Sequence, residues 1–290
     1  MRIIRSLKSG FQRSLKSWKG VLIFWFILFM MVAIFIYPVR SSLGSAFGSS
    51  MITEKLADGM DIEVFADLGP VLKSILSSLT AGFILVYLSG FIINAYLTGC
   101  LFSALRKESG RFSTREFFRA GAANFWSFLI ISLIITAIRS FISVVIIGTP
   151  LIIVSISETI SEKSAFTIFI CSVAVFILIL PLFFLIADYA RAWKAKTDDG
   201  SCFRALGLGF SHTFSKFGSS YTMMVILILA QLVLGALIIL TLPEWKPVTG
   251  GGVFLLLIVS QLMLYTRLLL KTWRYASVTS LMEETEMKSH

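Results

Sequence analysis

Charge is scarce in this chain. Only 14% of its 290 residues are Asp, Glu, Lys or Arg, where a soluble domain carries roughly a quarter. One or two buried soluble cores would need more water-facing residues than that to coat them, so a soluble globular protein is excluded. Histidine is nearly absent: there are two, and one is the terminal His290. With so few imidazoles, a His/Cys metal site has no ligand set to draw on. The three cysteines are Cys100, Cys171 and Cys202. Cys171 lies in an apolar run and the others fall near the expected cytoplasmic side, so all three read as small hydrophobes in packed helices. Gly250-Gly251-Gly252 lacks the Lys-Ser/Thr of a phosphate loop and reads as a flexible turn. No nucleophile, base or acid pair is spaced for catalysis, so we expect no catalytic residue, cofactor or metal.

Apolar residues are abundant instead. They make up 57% of the chain, 26 of them phenylalanine, and the mean hydropathy is +0.87. They gather into long runs. A membrane-crossing helix needs about 20 apolar residues to span a core roughly 30 Å thick. The segments that qualify are Val21–Tyr37, Pro70–Tyr96, Phe125–Ile147, Ala165–Ala187, Tyr221–Leu242 and Val253–Trp273. Each is apolar on every face, which excludes the alternating pattern of a membrane barrel, and bilayer hydrocarbon leaves only helix as an alternative. The first run is longer than a signal-peptide core, so it is read as a retained span although Gly44-Ser45-Ala46 resembles a cleavage site. The expected class is all-α: one transmembrane domain over 1–290, with six spans.

The net charge is +10. Its cations sit just outside the apolar runs, which suits an anionic cytoplasmic leaflet and not a nucleic acid. Arg2, Arg5, Lys8, Arg13, Lys16 and Lys19 precede the first span without an acid among them. Arg106, Lys107, Arg111, Arg115 and Arg119 fill the second connection, and Arg191, Lys194, Lys196, Arg204 and Lys216 the fourth. The connections between are poor in cations; the first carries Glu54, Asp58, Asp61, Glu63 and Asp67. The positive-inside rule then places both termini in the cytoplasm. The acidic loop lacks the spacing of a calcium loop and reads as a solvated face.

Residues 3–18 form a two-sided helix on paper. Ile3, Ile4, Leu7, Phe11, Leu15 and Trp18 share one face and the cations the other, as in a helix lying at the headgroup plane. The spacing of Leu7, Phe11, Leu15 and Trp18 returns in Thr114, Phe118, Ala122 and Phe125, and again in Leu206, Phe210, Phe214 and Phe217. The pattern predicts a threefold internal repeat over 1–109, 110–199 and 200–290. Each unit would hold a short interfacial helix over 3–18, 112–124 or 203–217, bent into the span that follows. Tyr96, Tyr189 and Tyr275 would close the inward spans, and the last of these spans would pack beside the first interfacial helix.

The inward span ending in Ala187-Asp188-Tyr189-Ala190-Arg191, then Asp199-Gly200 and Phe203-Arg204-Ala205-Leu206, resembles a loose group of uncharacterised bacterial six-helix membrane proteins. One member is the membrane domain found beside glycerophosphodiester phosphodiesterases. The resemblance implies a bacterial cytoplasmic (inner) membrane. In that family the phosphodiesterase chemistry sits in a separate soluble domain, which this sequence does not contain, so no catalytic residue carries over.

The candidate intramembrane polar residues are Asn94, Arg139, Gln231, Gln261 and Arg267. By helical rise Arg139 stands ~22 Å along its span and Arg267 about 9 Å from the inner surface, both within snorkelling reach of water. The amides suit interhelical hydrogen bonds. Ser74, Ser78 and Gly82 suit close helix approach. No carboxylate is expected near a midplane, and Asp188 computes to the cytoplasmic surface, which argues against an ion-coupled transporter. The expected function is a non-enzymatic scaffold or accessory subunit, associated with anionic lipid and with another membrane protein. The alternative is a small uncoupled transporter or channel. A water-accessible cavity lined by Asn94, Arg139, Gln231 and Gln261 would favour the alternative, and a solid apolar core the scaffold.

Overall fold

The computed structural model describes residues 2–47, 69–106, 112–157, 161–197, 201–242, 245 and 249–286. Among them no strand occurs. The helices are α1 (Arg2–Lys16), α2 (Trp18–Phe47), α3 (Gly69–Arg106), α4 (Thr114–Ser143), α5 (Thr149–Ile156), α6 (Glu162–Lys196), α7 (Cys202–Ser215), α8 (Phe217–Thr241) and α9 (Gly250–Glu286). Among the described residues six stretches are long and apolar enough to cross a membrane, Trp18–Tyr37, Thr80–Arg106, Thr114–Ile156, Glu162–Lys196, Phe217–Thr241 and Gly250–Glu284. The acidic loop residues Asp58, Asp61, Glu63 and Asp67 lie outside the described residues, as do the side chains of Ser74 and Ser78.

Local chemistry explains the helix ends. Ser161 caps α6 by accepting from the Ser164 amide at 3.3 Å, with Glu162 in the first turn and Lys194 and Lys196 in the last. Ser201 caps α7 in the same way, 3.3 Å from the Arg204 amide. α1 yields to α2 at Ser17, and α7 to α8 at Lys216, where φ is −134° and ψ 47°. The middle segment differs from expectation. Residues 112–124 form no separate helix, because α4 runs unbroken from Thr114 to Ser143. Ala120-Gly121-Ala122-Ala123 presents only short side chains and nothing that would interrupt the ladder.

The third span also outruns its expected end at Ile147. A π-helical turn over Val144–Gly148 leads into α5, with the Thr149 amide bonded to the Val144 carbonyl. Pro150 follows at once and has no amide to give, so the widened turn absorbs the missing donor and the helix continues. The inward helices overrun as well: α3 continues past Tyr96 to Arg106, α6 past Ala187 to Lys196, and α9 past Trp273 to Glu286.

The chain divides into two compact units, residues 23–94 and residues 1–22 with 95–290. In the first, Ser89 Oγ lies 3.9 Å from Met31 Sδ and Gly90 faces the Met31 methyl group, bringing α3 against α2. Trp25 and Phe29 stack at 5.6 Å, and much of the remaining apolar surface, including Ile34, Ile36, Phe83 and Leu85, is exposed.

The second unit holds a large core at one end of its helices. Phe102 and Leu105 come from the end of α3, Phe128 from early α4, Leu185 and Tyr189 from late α6, Met223, Met224 and Leu227 from early α8, and Tyr275 and Met282 from late α9. Phe102 meets Tyr275 at 4.8 Å and Phe128 at 5.8 Å between ring centres. Phe102, Leu105, Tyr189, Tyr275 and Met282 come from the overruns, and Phe128, Leu185, Met223, Met224 and Leu227 from the adjoining ends of the expected spans.

Candidate functional site

Asp188 is fully buried. α6 carries it into the packed end of the larger unit, where protein and not water surrounds the carboxylate. The residues on either side, Ile186-Ala187 and Tyr189-Ala190, pack inward or lie half-buried, so the carboxylate needs partners to exist there as an anion. It has two. Arg274 of α9 places Nε 2.9 Å from Oδ2. Those two atoms form an ion pair whose angle is not that of a hydrogen bond. Arg191, one turn along α6, donates to Oδ1 at 3.3 Å. Its other nitrogen donates to Ser132 Oγ of α4 at 2.8 Å, and Ser132 in turn donates to the Phe128 carbonyl at 2.7 Å.

The cations outnumber the carboxylate, and aromatic faces take up part of the excess. The Arg274 guanidinium lies 4.8 Å from the Phe184 ring centre and 5.1 Å from that of Tyr275, and Lys271 Nζ lies 5.8 Å from Tyr275. A ring's negative face stabilises a desolvated cation without adding a second buried acid.

Other polar side chains tie helices together around the same end. Tyr189 Oη and Ser220 Oγ share a 2.8 Å hydrogen bond between α6 and α8. Arg106 of α3 donates to the Ala195 carbonyl of α6. Trp273 Nε1 donates to the Leu7 carbonyl at 2.9 Å, and Ser14 Oγ to that of Leu269 at 3.1 Å, holding α1 along α9. Arg13 adds an ion pair to Glu283 at 2.8 Å. α1 packs on protein through its buried small residues Ser6, Gly10 and Ser14, with Ile3 and Leu7 against the core and the Phe11 ring 5.4 Å from that of Trp273. The apolar residues Ile4, Phe11, Leu15 and Trp18 are exposed.

The arrangement is a latch among helices. Removing one partner would strand a buried charge at a cost of about 3–5 kcal/mol, which fixes α4, α6 and α9 in one register. The residues singled out from sequence lie elsewhere. Asn94 is half-buried in the smaller unit, and Arg139, Gln231 and Gln261 are half-buried on α4, α8 and α9. Arg267 is exposed. Gln231 Nε2 is buried without a hydrogen-bond partner among the described residues. The latch residues escaped the sequence reading because hydropathy averaging ends the spans before them. The Asp188/Arg191 spacing, one turn apart and flanked by apolar residues, was the available clue.

These features define a polytopic α-helical integral membrane protein whose helices are locked at one end by a buried ion-pair cluster. No family model matches the chain, and neither a curated protein nor a solved structure matches it.

Proposed function

We propose that the chain is a non-enzymatic scaffold or accessory subunit of a bacterial cytoplasmic membrane, with both termini in the cytoplasm, in contact with anionic lipid and paired with another membrane protein. One observation carries the reading: the larger unit is filled at its latched end by Phe102, Phe128, Tyr275, Met223 and their neighbours, tied around Asp188. A solute passing along the interior of that unit would have to displace a packed core. The exposed apolar stripe of α1, with cations on its other side, favours a seat at an anionic membrane surface.

Three close crossings support the threefold repeat. A Cβ on Gly209 would lie 2.6 Å from the Ile186 carbonyl oxygen, next to Tyr189; one on Gly121 would collide with Cys100, beside Tyr96; one on Gly10 would collide with Ser277, beside Tyr275. In each case a helix entering one span crosses the inward helix of another at a glycine.

The test is reconstitution and capture. Proteoliposomes should show no solute flux above empty vesicles, and crosslinking in intact membranes should capture a stoichiometric membrane protein. Saturable flux that Gln231→Leu abolishes would instead establish the uncoupled transporter or channel. In a background with the three native cysteines replaced, a cysteine at Glu162 should label from outside and one at Lys196 should not. The reverse pattern would invert the topology.

A further inference from the structure

Where α1 passes the end of α3, the two helices leave a cleft of about 300 Å³ lined chiefly by Ser9, Gln12, Arg13 and Lys16 of α1 against Leu105 of α3. The size is at the lower end for ligand sites, suited to a headgroup and not to acyl chains. Its lining is donor-rich: a guanidinium, an ammonium, an amide and a hydroxyl, on a helix with no acid in its sequence. Arg13 is anchored at one edge by Glu283 at 2.8 Å. Such a set matches the acceptor-only oxygens of a phosphate ester.

The helix geometry also says how a lipid would reach it. At 100° per residue the cleft residues span an arc of about 100°, and Gln12 lies only about 60° from Leu15 on the exposed apolar stripe. Around a helix of ~10 Å diameter that is ~5 Å of surface. Acyl chains against Phe11 and Leu15, both about half exposed, leave a headgroup free to turn past Gln12 into the cleft.

We propose that this cleft binds the phosphate of an anionic phospholipid headgroup, so that α1 holds a lipid as well as resting on the membrane. The proposal rests on the lipid-associated reading above and names its site. The test uses the full-length protein in detergent, offered phosphatidylglycerol, phosphatidylcholine or soluble glycerol 3-phosphate, with bound molecules counted by native mass spectrometry.

Phosphatidylglycerol should be retained in preference to phosphatidylcholine. The pair Lys16→Gln with Gln12→Leu should weaken that retention at least about tenfold. Lys19→Gln, which removes a cation outside the cleft, should change it by no more than about twofold. All three positions are exposed, so melting temperatures should hold and exclude misfolding as the cause. Equal losses from the two variants, or no preference for the anionic lipid, would overturn the site. Binding of glycerol 3-phosphate without phosphatidylglycerol would assign the cleft to a soluble phosphate ester and overturn the lipid source. The flux and capture experiments judge the scaffold reading separately.

Discussion

The two ends of α6 obey opposite rules. From Glu162 to Leu180 no residue is buried, although from Ala165 onward only Thr167 and Ser172 are polar. From Pro181 to Lys194 most residues are buried, although the stretch holds Asp188, Arg191 and Lys194. In water the apolar segment would be the packed one. In a bilayer the apolar face can rest on lipid at no cost, so tight packing goes where small and polar side chains can reach each other. The same contrast holds in α9, whose start exposes Phe254, Leu255 and Leu257 while Tyr275, Ala276 and Ser277 are buried.

The latch gives the sharpest way to break that comparison. Asp188→Ala leaves two guanidiniums without their carboxylate and should cost about 3–5 kcal/mol. Leu178→Ala, at an exposed apolar site, should change stability by no more than about 0.5 kcal/mol. Thermal unfolding in a fixed detergent compares them, and equal losses would mean the polar end does not hold the unit together.

A smaller effect tests the crossings within one helix. Gly209→Ala sets a methyl against the Ile186 carbonyl and 2.9 Å from the Ala190 nitrogen, and should destabilise by about 1–3 kcal/mol. Two residues away, a Cβ on Gly207 meets nothing within 4 Å. Gly207→Ala should therefore be neutral or stabilising by about 0.5–1 kcal/mol. Unfolding midpoints that move the same way for both would remove the close crossing of α7 on α6.

The membrane class and the spans could be read in the sequence because hydropathy reports the surface a helix shows to lipid, and Val21–Tyr37 or Tyr221–Leu242 show it over most of their length. The latch could not. Arg191, Lys194 and Arg106 look like connection cations because nothing in a hydropathy window separates a solvated cation from one held by Asp188 or by the Ala195 carbonyl. The stripe on α1 was half legible. Its apolar residues are evident from their period, but the small residues one position earlier, Ser6, Gly10 and Ser14, are buried, and Gly10 and Ser14 meet α9 at Ser277 and Leu269.

The smallest expected effect concerns a single hydroxyl. Tyr189→Phe removes the 2.8 Å bond to Ser220 and leaves the ring in place, which should cost about 1 kcal/mol. A loss much larger than that, by the same unfolding measurement, would move the weight of the packed end from the ion pairs to the α6–α8 contact.

The seating of α1 on α9 also sets an order of events in biosynthesis. Leu7 and Trp273 bond across 266 residues of chain. At a synthesis rate of about 5–20 residues per second, the first helix emerges roughly 15–50 s before its partner exists. Through that interval Gly10 and Ser14 have no α9 to cover them. Only an α9 made as far as Ser277 and Glu283 completes the contacts of Gly10 and Arg13.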